Sequence, residues 1–114
     1  MIEKTVRLYS DIYNKLVDDA MEKTLKPAAL ARMIIIQRLE NGNWQELAEI
    51  CDKLPVISNT EPRFCIRIPD RFSSLIEDAT GTISKSQFGP MAQSVLVEHY
   101  STPRGKTVRK VGKA

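Results

Sequence analysis

The sequence predicts a mainly α-helical fold that carries one two-stranded antiparallel β-ribbon. Three observations lead to this fold class. The chain of 114 residues is 42% apolar and 27% charged, which suits one globular domain with a buried core. Two short segments alternate apolar and polar residues, and each is followed by two helical patterns. The second copy of this arrangement follows the first at an offset of 60 positions.

The two strand segments share a spacing and a helix-start signal. Residues 5–12 and residues 65–72 both place an arginine, Arg7 or Arg67, between two aliphatic residues. Alternation over a short segment is typical of a strand with one buried face. A Ser or Asp suited to begin a helix follows in both copies. Each strand is therefore expected to lead directly into a helix.

Four apolar patterns predict the helices of the two copies. The first helix of each copy has apolar residues three or four positions apart, at Ile12, Leu16 and Ala20 and at Phe72, Leu75, Ile76 and Ala79. The second helix starts at Pro27 in the first copy. In the second copy it starts near residues 84–86 or, given Pro90, around residues 87–89. Both second helices are apolar on several sides, which requires several buried sides.

The remaining segments are a linker and a tail. The domain assignment is a first repeat at 1–42, a linker with a short helix at 43–61, a second repeat at 62–100 and a disordered basic tail at 101–114. The two repeats are expected to form one compact domain. Asn43 is placed to cap the linker helix, with Glu46 as its reciprocal partner.

The net charge of +3 is unevenly distributed. Residues 101–114 carry five Lys or Arg and no Asp or Glu, so the rest of the chain has a net charge of −2. A basic tail favours a polyanionic partner, although it is also a common means of keeping a protein soluble.

The patterns of the common enzyme classes are missing from the sequence. It contains no phosphate-binding loop, paired-carboxylate pattern or nucleophile arrangement, so we expect no enzymatic activity and no cofactor. Cys51 and Cys65 lack CxxC spacing and His99 is the single imidazole, which disfavours a disulfide scaffold and a zinc site. No signal peptide or membrane span is recognisable, so a cytoplasmic location without membrane contact is expected.

The repeated unit of strand, helix, turn and helix resembles the ribbon-helix-helix family of Arc/MetJ/CopG-type DNA-binding proteins. Residues 62–69, Pro-Arg-Phe-Cys-Ile-Arg-Ile-Pro, are similar to the strand opening of Arc and Mnt repressors. Residues 83–86, Ile-Ser-Lys-Ser, are similar to the start of the second helix in CopG-like members. The first repeat is more divergent, with Lys4 where an apolar residue is usual. Two copies in one chain are similar to TraY-type tandem proteins.

Family members pair the single strands of two subunits, so the resemblance implies an intramolecular pseudo-dimer here. We expect residues 4–9 to pair antiparallel with residues 63–68. Val6 and Leu8 then face the helices, opposite the apolar residues of the second strand, Phe64, Ile66 and Ile68.

The other face of the ribbon is the one that the resemblance assigns to base reading in the major groove. Arg7 and Arg67 are the first candidates for bidentate contacts to guanine, and Thr5, Arg63 and Cys65 are the further candidates. The same residues also fit the polar side of a ribbon without a ligand. Glu3 could accept from a cytosine amino group, but the polar side of the ribbon is the favoured interpretation for it. Because the two strands differ, the ribbon is expected to read a non-palindromic site.

A second site is expected where each second helix begins, since free N–H groups and the helix dipole bind anions there. The residues placed to bind DNA phosphates in this way are Lys26, Ser84, Lys85 and Ser86. Simple helix capping by Ser84 is the alternative. The tail adds basic residues that either contact phosphates or stay solvated, namely Arg104, Lys106, Arg109 and Lys110.

The expected function is therefore sequence-specific binding of double-stranded DNA, as a transcriptional regulator of the repressor type. One alternative is an accessory DNA-binding protein of plasmid transfer, of the relaxosome type. A second alternative is an antitoxin-like or other protein-interaction module, for which the linker helix with Trp44 is the candidate docking surface. Self-association of several pseudo-dimers along DNA is left open.

Overall fold

The computed structural model describes residues 1–83 and 87–101. These form two strands and five α-helices, with a 3₁₀ turn at Asp70–Phe72 before the fourth helix. The elements in chain order are β1 (Ile2–Arg7), α1 (Ser10–Glu22), α2 (Pro27–Asn41), α3 (Trp44–Lys53), β2 (Arg63–Ile68), α4 (Ser73–Ile83) and α5 (Phe88–Ser101). The predicted combination of a mainly helical fold with a two-stranded antiparallel ribbon is confirmed.

The strands β1 and β2 pair antiparallel, with Ile2 opposite Ile68 and Arg7 opposite Arg63. The predicted first strand, residues 4–9, is wrong at both ends, because β1 begins and ends two residues earlier. At its carboxyl end Leu8 N–H still donates to Pro62 O at 2.9 Å. Pro62 has no N–H to return the bond, so the ladder stops there and the chain turns into α1.

One cluster of buried apolar side chains joins both strands and all five helices. The strand residues in it are Val6, Ile66 and Ile68, with Leu8 directly after β1, which confirms the predicted core face of the ribbon. Phe64 is half-buried and its ring lies 5.8 Å from that of Tyr13 on α1. Helix α2 packs on β2, helix α5 packs on β1, and α3 packs on α4 and α5. The ribbon is thus covered on one face only.

Helix α5 begins at Phe88, which agrees with the later of the two predicted starts. Pro90 lies in its first turn, where a missing N–H breaks no helical hydrogen bond. Ser94 Oγ donates back to Pro90 O at 2.8 Å. Helix α5 is buried over the continuous stretch Met91–Leu96. Such burial is what its apolar residues on several sides predicted.

The turn between α2 and α3 differs from its prediction. Gly42 and Asn43 both have positive φ, at 75° and 57°. In this conformation Asn43 makes no side-chain cap on α3, so the predicted capping box is wrong. The Asn43 Nδ2 group instead donates to Glu46 Oε1 at 2.6 Å.

The far ends of α1 and α5 are joined by polar contacts. Tyr100 Oη donates to Asp19 Oδ2 at 2.9 Å, and Lys23 bonds the other oxygen of the same carboxylate. Burial acts to raise the pKa of Asp19, but the hydrogen bonds from Lys23 and Tyr100 outweigh it and lower that pKa. The carboxylate is therefore held in its charged form.

Candidate nucleic-acid interface

The uncovered face of the ribbon presents three cross-strand pairs. Hydrogen-bonded and non-hydrogen-bonded pairs alternate along an antiparallel ladder. Leu8 and Pro62 are a hydrogen-bonded pair, so Thr5 and Cys65, three positions further along, are a non-hydrogen-bonded pair. The side chains of such a pair lie closer together. The same holds for Glu3 opposite Arg67 and for Arg7 opposite Arg63. Thr5 and Cys65 are exposed at the centre of this face. All five predicted base-reading residues thus lie together on one surface.

Arg7 is on this face, but its guanidinium is engaged by the linker. Its Nη1 group donates to Asn59 O and Glu61 O, both at 2.6 Å. Its side chain is half-buried as a result, whereas Arg63 opposite it is exposed. The sequence did not reveal this contact, since Arg7 and Asn59 are 52 positions apart.

Three more hydrogen bonds join the linker to the start of α1. Tyr9 Oη donates to Pro55 O at 2.5 Å. Ser10 donates from both N–H and Oγ to the Glu61 carboxylate, each at 2.8 Å. Burial, with the nearby Cys51 and Glu61, raises the pKa of Tyr9, so the phenol stays a donor at neutral pH. These hydrogen bonds hold residues 55–61 of the linker beside one end of the ribbon.

At the other end of the ribbon, Arg67 is exposed and held by its Nε group. This nitrogen donates to Glu3 Oε2 at 2.9 Å, across the strand pair. The Arg67 side chain keeps 69% of its surface exposed and that of Glu3 keeps 57%. The interpretation favoured for Glu3 from the sequence was the polar side of the ribbon, and this ion pair was not predicted.

A groove of about 420 Å³ runs between this end of the ribbon and the start of α2. Lys26, Arg32, Cys65 and Arg67 line it together with Glu3, Ala28 and Ala29. Lys26 lies at the amino end of α2, as predicted for a phosphate contact. Arg32 was not among the phosphate contacts predicted from the sequence, although it follows Ala28 and Ala29 at helical spacing. Two small residues on that face of α2 indicate a close approach to the strands, and this signal places Arg32 beside the ribbon.

The remaining predicted phosphate contacts lie outside the described residues. They are Ser84, Lys85 and Ser86 between α4 and α5, and Arg104, Lys106, Arg109 and Lys110 in the tail.

Charge is segregated within the described part of the chain. Of the 17 Lys and Arg residues, Lys85 and five in the tail lie outside the described ranges, whereas all 14 Asp and Glu lie inside them. The described part thus has 11 positive and 14 negative side chains, a net charge of −3. The outer face of the ribbon and its groove nevertheless carry five cations, Arg7, Lys26, Arg32, Arg63 and Arg67, against the single acid Glu3. A positive surface on an acidic body directs polyanions to that surface.

Comparison with models of protein families, with curated proteins and with solved structures found no match for this chain. Within the described ranges, no helix combines the length and apolar character that crossing a bilayer requires.

Proposed function

We propose that this protein is a tandem ribbon-helix-helix pseudo-dimer that binds double-stranded DNA sequence-specifically, with its β-ribbon in the major groove. The observation that carries the proposal is the uncovered, positively charged face of the ribbon on an otherwise acidic body. A transcriptional regulator is the role that this activity fits best.

The spacing of the elements supports the pseudo-dimer. Each element of the second half begins 60 or 61 positions after its counterpart: β2 after β1, the 3₁₀ turn leading into α4 after α1, and α5 after α2. Thr5 and Cys65 are 60 positions apart and also lie opposite each other. When a residue pairs with its own repeat equivalent, an approximate two-fold axis passes through that pair. This is the symmetry that two paired copies of one strand generate.

The chemistry of the face supports DNA as the ligand. The major groove of B-DNA is about 12 Å wide and admits a two-stranded ribbon, and each base pair shows a distinct set of donors, acceptors and methyl groups there. Arginine forks match the two acceptors of guanine, and small side chains such as Thr5 and Cys65 leave room for a thymine methyl. Lys26 and Arg32 flank the ribbon where a phosphate backbone would pass.

The test is selection of bound duplexes from a randomised pool at about 0.15 M salt, followed by sequencing. An enriched, non-palindromic motif is expected, because the two strands present different side chains. Arg67→Glu should abolish the enrichment by placing a carboxylate among the bases. Lys53→Glu makes the same charge change on α3, which packs on α4 and α5, and should leave the motif intact.

Absence of enrichment, with binding that disappears as the salt concentration rises, would contradict the proposal. Binding of that kind comes from counterion release alone and needs no base contact. The position of the enriched motif, in a promoter or in a plasmid transfer origin, would separate a regulator from a transfer accessory protein.

A further inference from the structure

The two ends of the ribbon are chemically different, although the approximate two-fold axis makes them equivalent in position. Around the Thr5–Cys65 pair, one end places Arg7 opposite Arg63 and the other places Glu3 opposite Arg67. Like charges directly opposite each other are unfavourable, and opposite charges attract. The four side chains therefore adopt two different arrangements.

At the first end, the Arg7 guanidinium is bound by the linker. Both hydrogen bonds from Nη1, to Asn59 O and Glu61 O, are short and charge-assisted. To contact a base with this nitrogen, Arg7 would have to release both carbonyl groups. The contacts of Tyr9 and Ser10 hold the same segment in place. Arg7 is thus built into the structure as an anchor of the linker.

At the second end, the carboxylate of Glu3 accepts a hydrogen bond from Arg67 only at the Nε group. Among the described residues, the terminal nitrogens Nη1 and Nη2 have no hydrogen-bond partner. These are the two donors that an arginine fork offers to O6 and N7 of guanine. An arginine side chain that is already held at Nε loses less rotamer freedom when it contacts a base. Glu3 therefore pre-organises the terminal nitrogens of Arg67 for such a contact.

Cations also collect at this second end. Lys26 and Arg32 line the groove beside Arg67. The positions 60 and 61 residues after Arg32 are Ala92 and Gln93, which are both buried in α5. The described part of α5, from Phe88 to Ser101, contains no Lys or Arg. Lys26, the predicted phosphate contact that lies within the described residues, is therefore beside Arg67 and Cys65 on β2, together with Arg32.

We infer that the ribbon reads DNA from one side: Arg67 is the guanine-reading residue, Glu3 is its positioning residue, Lys26 and Arg32 hold the adjacent phosphates, and Arg7 anchors the linker. This inference rests on the proposed function and deepens it, because it assigns unequal roles to two arginines that the repeat makes equivalent.

The experiment measures the affinity of the full chain for the selected duplex and for each of its single base-pair substitutions, by fluorescence anisotropy. Arg67→Ala should lower discrimination at one G·C pair by about 10- to 100-fold. Glu3→Gln should lower discrimination at the same pair, while affinity for the substituted duplex stays equal or rises because a negative charge is lost. Lys53→Ala is the control for loss of a positive charge away from the groove.

Arg7→Ala is expected to leave the pattern of base preference unchanged. Its effect should appear in the free protein, as faster hydrogen exchange at the Leu8 amide, which bonds Pro62 O at the end of the linker. Arg67→Ala should leave that exchange rate unchanged. The two arginines are thus separated by two independent readouts.

Loss of discrimination at a second G·C pair in Arg7→Ala would overturn the one-sided assignment and leave the proposed function standing. Discrimination that is unaffected by Glu3→Gln would overturn the positioning role. A wild-type protein with equal affinity for every duplex would overturn both the inference and the proposed function.

Discussion

Replacing Ile66 by alanine is expected to lower the free energy of unfolding by about 2–5 kcal/mol. Ile66 is fully buried on the core face of β2. Its shortening removes apolar contacts and leaves a cavity that the helices around it fill only in part. Because a domain of this size is stable by about 5–15 kcal/mol, this loss is a large fraction of the total. Urea denaturation with an unchanged m-value measures it.

The matched control is Cys65→Ala, one position away on the uncovered face of the same strand. A substitution at an exposed site without partners changes stability by no more than about 0.5 kcal/mol. Equal destabilisation by both variants would contradict the assignment of the two faces of the ribbon.

Thr5→Cys is expected to form a disulfide with Cys65 under mild oxidation and to stabilise the protein by up to about 4 kcal/mol. Residues 5 and 65 are a non-hydrogen-bonded pair. The Cα atoms of such pairs lie about 4.5 Å apart, within the range that disulfides span. The bond closes a loop of about 60 residues, whose entropy in the unfolded chain then falls. Thiol counting by mass spectrometry after alkylation in denaturant should find one free thiol, on Cys51.

Lys4→Cys is the control for this cross-link, because position 4 lies opposite Ile66 and its side chain is directed away from the face of Cys65. Three free thiols should remain in this variant after the same oxidation. A disulfide between the cysteine introduced at position 4 and Cys65 would mean that the strands pair one residue out of the observed register.

The ribbon was predictable because strand alternation is a local property. The pattern around Arg7 and Arg67 predicts which side chains face the core and which face outward. The structure confirms this division except at Phe64 and Arg7, which are both half-buried. The offset of 60 positions likewise appears in the register, where Thr5 lies opposite Cys65. The limits of β1 were missed because they depend on the partner strand, where Pro62 ends the ladder.

The contacts that distinguish Arg7 from Arg67 were not predictable from local patterns. The carbonyl groups that bind Arg7 belong to the linker, and only the folded chain brings Asn59 and Glu61 to the end of β1. The Glu3–Arg67 pair depends on the register of the two strands. A shift of the register by two residues keeps every side chain on the same face, so alternation alone does not determine which residues lie opposite each other. The sequence therefore predicted which side chains share the uncovered face of the ribbon, but not the contacts that distinguish Arg7 from Arg67.

The most direct test of the central claim, that the outer face of the ribbon contacts DNA, is the alkylation rate of Cys65 with and without the selected duplex. Cys65 is exposed at the centre of that face, and half-buried Cys51 on α3 is an internal control in the same molecule. Saturating duplex is expected to slow the reaction of Cys65 by at least about tenfold, because the thiol is then enclosed in the major groove, while Cys51 reacts unchanged. An unchanged rate at Cys65 under conditions where the duplex is fully bound would contradict the account.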